Sequence, residues 1–256
     1  MSKWEDMYKA KLTTPEDIAG QIKSGDRVFA SGASSTPVAI LDALFDRAIA
    51  GEIEGVQLGS FIMLANVFKV LKPELQRSIL IDNYYASPLD RKALADGLMT
   101  HTPYHFHRVT RQAVDDSGYR KLIVQAGPMD KQGYLNLGLF ANYIDVVDEL
   151  DALYIEVNDQ QPIVHGPNWI HVSQVDRLTE NHHPVFALPP DPITERDQAI
   201  AENIIDLIED GSTIQLGIGG TTNAIDELLV RKKHLGCHTE MIGDAYMKLF
   251  EAGVLD

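Results

Sequence analysis

Apolar residues along this chain fall into short β-branched runs, separated by stretches where they recur every third or fourth position. Arg27 to Ser31, Val56 to Met63, Ile79 to Tyr84, Lys121 to Ala126 and Leu153 to Asn158 read as strands. Between them, Thr14 caps a predicted helix with Pro15 in its first turn and Gly25 at its end. Thr36-Pro37 opens a second helix through Arg47, and Leu89–Leu98 and Tyr143–Leu150 repeat the helical pattern. Farther on, Thr194 to Glu209 carries Ile200, Ile204, Leu207 and Ile208 on one face, with acids in its first turn. Such alternation predicts an α/β protein with layered helices and a mainly parallel sheet.

Pro184 to Pro192 interrupts this pattern with four prolines, which fit neither a helix interior nor a central strand. It is the expected linker, dividing the chain into residues 1–190 and 191–256. The two sides resemble each other. Ile22-Lys-Ser-Gly-Asp-Arg-Val-Phe-Ala aligns with Ile208-Glu-Asp-Gly-Ser-Thr-Ile-Gln-Leu, so that Gly25 matches Gly211, Val28 matches Ile214 and Thr36 matches Thr222. Both read helix, glycine, strand, small-residue loop, helix. On this alignment a second, similar domain begins near Pro190 with only its first third present, and the chain is expected to be cut short.

The second of those loops is the most informative segment. An apolar run, Ile214-Gln-Leu, leads into Gly217-Ile-Gly-Gly-Thr221, and a helix is predicted from Asn223 to Lys233. Strand, glycine loop and helix start together expose backbone N–H groups able to hold an anion or a developing oxyanion. Glu240 follows at the end of the next short apolar run, where the chain returns to the same sheet edge, so it is a candidate for acyl chemistry. Taken alone, the loop reads first as an ordinary strand–helix turn. It also approaches a dinucleotide fingerprint, Gly217-Ile-Gly219 with an acid about 20 residues on, although Thr222 stands where the third glycine belongs.

Charge narrows the partners. Against 22 Lys and Arg stand 37 Asp and Glu, a net −15, which repels phosphate backbones and anionic lipid; no nucleic-acid or membrane partner is expected. No stretch approaches the ~18 apolar residues of a spanning helix, and Met1-Ser-Lys-Trp begins no signal peptide. With a single cysteine, Cys237, an internal disulfide framework is excluded and a cytoplasmic location is expected, the thiol itself being read as buried and inert.

Gln215-Leu-Gly-Ile-Gly, Asn223-Ala-Ile, Leu235-Gly-Cys-His-Thr-Glu-Met241 and Glu251-Ala-Gly-Val254 resemble the acetyl-CoA hydrolase/transferase family, and within it the 4-hydroxybutyrate and butyrate:acetate CoA-transferases. The likeness extends to Tyr8-Lys-Ala-Lys-Leu, Lys23-Ser-Gly-Asp-Arg-Val28, Gly133-Tyr-Leu-Asn-Leu-Gly138, Ile155-Glu-Val-Asn158, His165-Gly, Ile170-His-Val-Ser173 and Leu207-Ile-Glu-Asp-Gly211. It implies a cytoplasmic enzyme of two similar CoA-transferase-type αβα domains, acting in short-chain fatty acid and butyrate metabolism. The implied reaction exchanges CoA between a short-chain acyl-CoA and acetate or a similar carboxylate. Glu240 is the implied covalent residue, passing through a glutamyl-CoA thioester. Gly217, Ile218, Gly219, Gly220 and Thr221 are the implied oxyanion and CoA-binding loop. No metal and no tightly bound cofactor is implied; a coenzyme A thioester is the substrate. A homodimer is expected, complete only with a C-terminal half that includes the family's second glycine motif. Gly243-Asp-Ala245 stands where many relatives carry Ser-Asp-Gly, which leaves the acyl preference open.

Two other readings stay open. One is a CoA-thioester hydrolase, with water in place of the acceptor acid. The other is a non-catalytic nucleotide- or sugar-phosphate-binding protein using the Gly217–Gly220 loop. Among the histidines, His101, His105 and His107 read as one strand with structural hydrogen bonding. His182-His183 reads as a solvated turn, and Arg231-Lys-Lys-His234 as a basic end to the preceding helix.

Overall fold

The computed structural model describes residues 3–88, 90–187 and 189–256. Met1, Ser2, Leu89 (the start of the predicted Leu89–Leu98 helix) and Leu188, inside the proline-rich stretch, lie outside them. Two compact units are formed, Met1–Phe186 and Ala187–Asp256.

In the first unit the chain runs α1 (Lys3–Lys11), α2 (Pro15–Ala19), β1 (Arg27–Ala30), α3 (Val38–Ile49), β2 (Val56–Ser60), β3 (Ile79–Asn83), α4 (Asp90–Ala95), β4 (Thr100–His101), α5 (Val109–Asp115), β5 (Lys121–Ala126), β6 (Tyr134–Asn136), β7 (Ala152–Val157), β8 (Trp169–His171) and β9 (Arg177–Glu180). Seven strands make one sheet in the order β4-β3-β2-β1-β5-β7-β9, every pair parallel. β6 and β8 form a separate antiparallel pair.

The strand sequences explain why both faces of the sheet are covered. On β1, Val28 and Ala30 enter one core while Phe29 enters the other. On β7, Ala152 and Tyr154 join the first; Leu153, Ile155 and Val157 join the second. Period-two alternation thus divides one apolar run between two cores, the pattern of a parallel sheet buried on both sides. α2 and α3 close the first core with Ile18, Ile40, Leu41, Leu44 and Phe45, all 0% exposed; each such side chain contributes about 1.5–3 kcal/mol. The second is aromatic: Phe29 packs against Phe61, Tyr84, Tyr119 and Tyr143 at centroid distances of 5.4–5.7 Å.

Three predicted helices differ. Among its described residues, the predicted Leu89–Leu98 helix is helical only over α4, Asp90–Ala95, after which the Gly97 and Leu98 amides turn back onto the Leu94 and Ala93 carbonyls. The one capped by Thr14, whose hydroxyl accepts the Asp17 amide at 3.1 Å, ends at Ala19 instead of Gly25. Tight bonds from Gln21 to Ile18 and from Ile22 to Ala19 turn the chain so that Ile22 enters the core. Tyr143–Leu150 forms a 3-10 helix over Ile144–Glu149 instead of an α-helix. Three residues per turn align Ile144, Val147 and Leu150, all packed on the aromatic core.

The second unit runs α6 (Glu195–Ile205), β10 (Thr213–Ile214), α7 (Gly220–Leu229), β11 (Gly236–Cys237) and α8 (Asp244–Glu251). α6 stops four residues before the predicted Glu209, and Leu207 is left 81% exposed. β10 and β11 pair in parallel, and Leu235 bridges Leu255 in the same sense. Ile205, Leu216, Leu229, Leu235, Tyr246, Leu249 and Val254 form its core. The segments aligned from the sequence share local geometry. Gly25 and Gly211 both hold φ at +81°, and their amides donate to Glu54 and Lys233, ahead of the next parallel strand in each case. Between strand and helix, however, the second copy is shorter: α7 starts at Gly220, whereas the alignment with α3 places that start at Ala224. No helix among the described residues is long and apolar enough to cross a membrane.

Candidate active site

β10 and β11 set the geometry of the second unit's polar edge. Thr213 pairs with Gly236 and Ile214 with Cys237, and the His238 amide donates to the Ile214 carbonyl at 3.1 Å. Both strands therefore end on the same edge. Gly217 lies three residues past Ile214 and Glu240 three past Cys237, so loop and carboxylate leave at matched positions.

The glycine loop is tied down from beneath. Leu216 is buried, and its amide donates to the Tyr246 hydroxyl of α8 at 2.8 Å. Burial raises the Tyr246 phenol above its ordinary pKa, keeping it neutral as an acceptor for that amide. Gly219 holds φ at +122° as the N-cap of α7, a conformation that L side chains rarely adopt. The turn closes through the Asn223 amide to the Gly219 carbonyl at 2.9 Å. From Gly217 to Thr222, among the described residues, no backbone amide has a hydrogen-bond acceptor. Those of Gly219 to Thr222 are the orphans at the start of a ten-residue helix, at its positive end, and those of Gly217 and Ile218 lie just ahead of it. Ile218 is 69% exposed at the loop's tip.

Glu240 occupies a bend after β11 and is exposed, and the neighbouring Thr239 hydroxyl donates to the Met241 carbonyl at 2.9 Å. A carboxylate and a run of free amides thus leave the same sheet edge.

Several expectations change here. The helix predicted from Asn223 to Lys233 is α7, Gly220–Leu229, so Gly220 and Thr221 belong to its first turn. Arg231-Lys-Lys-His234 lies beyond its end: Arg231 pairs with Glu202 of α6 at 3.0 Å, and His234 with Asp256 at 2.8 Å. Cys237 is exposed rather than buried, because the two-residue strand β11 has a single neighbour, β10. His105 and His107 flank and enter a 3-10 helix, Phe106–Arg108, instead of continuing the strand of His101.

A second polar cluster lies in the first unit, at the carboxyl ends of β1, β5 and β7. β1 adjoins both β2 and β5 there, the switch point at which open α/β sheets bind ligands. The Gln125 amide donates to the Thr36 carbonyl at 3.1 Å, and its oxygen accepts Gln161 at 2.6 Å and Asn158 at 3.3 Å. Glu156 is fully buried. One of its oxygens accepts the Ala39 and Ile40 amides, at the start of α3, and the other accepts Asn181 at 2.9 Å. Burial raises its pKa despite these bonds. His183 sits 3.7 Å from Glu156 and 3.2 Å from Gln125, so it is half-buried in this network and not on a solvated turn.

Residues 1–189 match the acetyl-CoA hydrolase/transferase N-terminal domain. The chain belongs to the acetyl-CoA hydrolase/transferase family. It is 33% identical over 260 residues to 4-hydroxybutyrate coenzyme A transferase of Clostridium kluyveri, covering 99% of this chain and 59% of that protein. To butyryl-CoA:acetate CoA-transferase of Anaerostipes caccae it is 28% identical over 262 residues, with 98% and 57% covered. A more distant relative, acetyl-CoA hydrolase of Candida glabrata, shares 24% over 307 residues, with 97% and 58% covered. The crystal structure of RipA from Yersinia pestis matches the fold with a TM-score of 0.91 at 29% identity, covering 99% of this chain and 61% of that one. The chain thus spans about three fifths of the length of the relatives it matches.

Tyr246, which accepts the Leu216 amide, and Asp197, whose Oδ1 accepts the Thr221 hydroxyl, touch the glycine loop and its helix without having been singled out from the sequence. Thr194-Glu-Arg-Asp197 carries a capping signal, but nothing in it announces the further bond that Asp197 makes. Glu156 lies within the family-like segment Ile155-Glu-Val-Asn158, but its burial is not apparent from the sequence.

Proposed function

We propose that this chain carries the nucleophile of a CoA-transferase acting between a short-chain acyl-CoA, of the 4-hydroxybutyryl or butyryl type, and acetate or a similar carboxylate. A Glu240 oxygen attacks the thioester carbonyl, the C–S bond breaks, and an acyl-glutamyl anhydride and CoA thiolate form. The thiolate then attacks the glutamyl carbonyl, releasing the first acid as its carboxylate and leaving a glutamyl-CoA thioester. An acceptor carboxylate attacks that thioester and expels the thiolate, which takes the acyl group from the new anhydride and frees Glu240. Each tetrahedral intermediate carries an oxyanion, for which the amides near Ile218 and Gly219 are the donors; losing one typically costs about 3 kcal/mol.

The observation that carries this reading is the parallel register of Ile214 with Cys237, which brings the free-amide loop and Glu240 to one edge. The family membership and the names of the transferase relatives support it. We further read the two units as similar CoA-transferase-type domains and the working enzyme as a cytoplasmic homodimer without a tightly bound cofactor.

The test uses the full-length natural polypeptide. Glu240→Ala should abolish transfer while acetyl-CoA binding survives within several-fold, since the side chain reacts and does not anchor. Borohydride added after acyl-CoA alone should convert the Glu240 carboxyl to a primary alcohol in the peptide containing His238-Thr-Glu240. Turnover at a tenth of the parent rate, or an unmodified peptide, would remove Glu240 from the nucleophile's role. Thiol release without added acetate would favour the hydrolase named among the relatives.

A further inference from the structure

The carboxylate of Asp197 is bonded on both of its oxygens, to two different helices. Oδ2 accepts the Thr194 amide at 3.0 Å and the Thr194 hydroxyl at 2.6 Å, which together with the Asp197 amide to the Thr194 hydroxyl (3.3 Å) caps α6. Oδ1 accepts the hydroxyl of Thr221, in the first turn of α7. A residue serving only as a cap partner needs one oxygen. The second is committed to the helix that carries the glycine loop.

The surroundings make this contact a constraint on the loop's position. A Cβ at Gly220 would lie 2.9 Å from the Pro192 carbonyl and 3.0 Å from Asp197 Oδ2, so the backbone at the start of α7 is pressed against this segment. Asn223 of α7 donates to the Asp191 carbonyl at 2.8 Å, a second tie to the same stretch. Asp191, Pro192 and Asp197 therefore hold one flank of the α7 start. The hydroxyls of Thr194 and Thr221, then the Thr194 amide, keep the Asp197 carboxyl below the usual carboxylate range, so it remains ionised as the acceptor.

We infer that Asp197 is a positioning residue for the glycine loop: by accepting the Thr221 hydroxyl while anchored in the α6 cap, it fixes where the Gly217–Gly220 amides stand. This rests on the reading of that loop as the oxyanion site. A donor array stabilises a transition state only when it is set in advance, and a displacement of about 1 Å typically costs on the order of 100-fold in rate. Asp197 itself touches no reacting atom.

Asp197→Ala in the full-length protein should lower kcat roughly 10- to 100-fold while the KM for acyl-CoA stays within about threefold. Thr221→Val should act in the same direction, Thr221→Ser should restore the parent rate, and Asp197→Ala with Thr221→Val together should be no worse than the poorer single variant, because both cut one link. Thr14→Ala, a comparable cap removal at α2, should lower the melting temperature and leave kcat alone. Amide exchange gives a readout without catalysis: Asp197→Ala should loosen the Asn223 amide, which bonds Gly219, and the α7 amides after it. Parent kcat in a folded Asp197→Ala variant, or fully multiplicative losses in the double variant, would overturn the positioning role. Loosened exchange in a protein whose parent shows no transfer would instead sink the transferase reading and leave the clamp standing.

Discussion

Gly219 shows how one residue's backbone can matter more than any side chain there. At φ +122° an L residue is strained whatever the available space, and the nearest atom to an added Cβ is Asp191 Oδ2 at 4.0 Å, so crowding is not the main obstacle. Gly219→Val should therefore act by refolding the turn and by setting a branched side chain over the free amides. kcat should fall at least about 100-fold, as for loss of an oxyanion donor, while the melting temperature drops by only a few degrees. Circular dichroism melts alongside initial rates separate the two effects. A collapsed melt with normal rates in the folded remainder would make the loop structural only. At this scale the sequence was informative where the signal is local: the glycines that shape the turn ahead of α7 stand out in it. It was silent where chemistry depends on approach, as with the Thr221 hydroxyl on Asp197 or the Leu216 amide on Tyr246, 30 residues away.

Among the elements, α7 carries a tension that its sequence hides. Its buried residues are Ala224 and Leu229, yet Asp226 is half-buried, and its Oδ1 has no hydrogen-bond partner among the described residues. Burial pushes this carboxyl up to about 6, against an opposing pull from Lys248 of α8. Because its folded pKa is raised, the folded state holds the proton more tightly than the unfolded chain does. Its stability contribution is then full below the ordinary carboxylate value and is lost as pH rises through about 6. Asp226→Asn removes that proton-linked loss. The variant should melt higher than the parent at pH 8, by an amount on the order of 1 kcal/mol once solvent screening of this half-exposed group is allowed for, and the gap should narrow through pH 6 and close only below about pH 4. A gap independent of pH would assign the effect to packing. Element boundaries shifted for a related reason. α2 stops early so that Ile22 can be buried, and Ile144–Glu149 tightens to three residues per turn to align its apolar positions. In both, tertiary burial overrides local periodicity. β5, by contrast, spans Lys121–Ala126 as read from the sequence, since its run is apolar on both faces and nothing competes with the strand.

Across the whole molecule, the two units differ in how deeply their backbone is protected. In the first, β5 and β7 share a six-residue register within a sheet whose faces are both packed, so exposing their amides requires dismantling two cores. In the second, β10 and β11 have two residues each in a two-stranded sheet over one smaller core, an arrangement that is marginal by itself. Local opening should therefore be easier there. Hydrogen exchange should find the His238 amide, bonded to Ile214, exchanging at least about 100-fold faster than amides in the middle of β5, with weaker dependence on urea. If the Gly217–Thr221 loop takes an acyl-CoA, saturating ligand at about 100 times Kd adds roughly 2.7 kcal/mol to the state that binds it. That increment should slow exchange around Asn223 and His238 while leaving the middle of β5 unchanged. Equal protection in both units without ligand would show that the second core is as strong as the first. Ligand-induced slowing confined to β5 and β7 would move the site away from the glycine loop and toward the Gln125–Glu156 cluster.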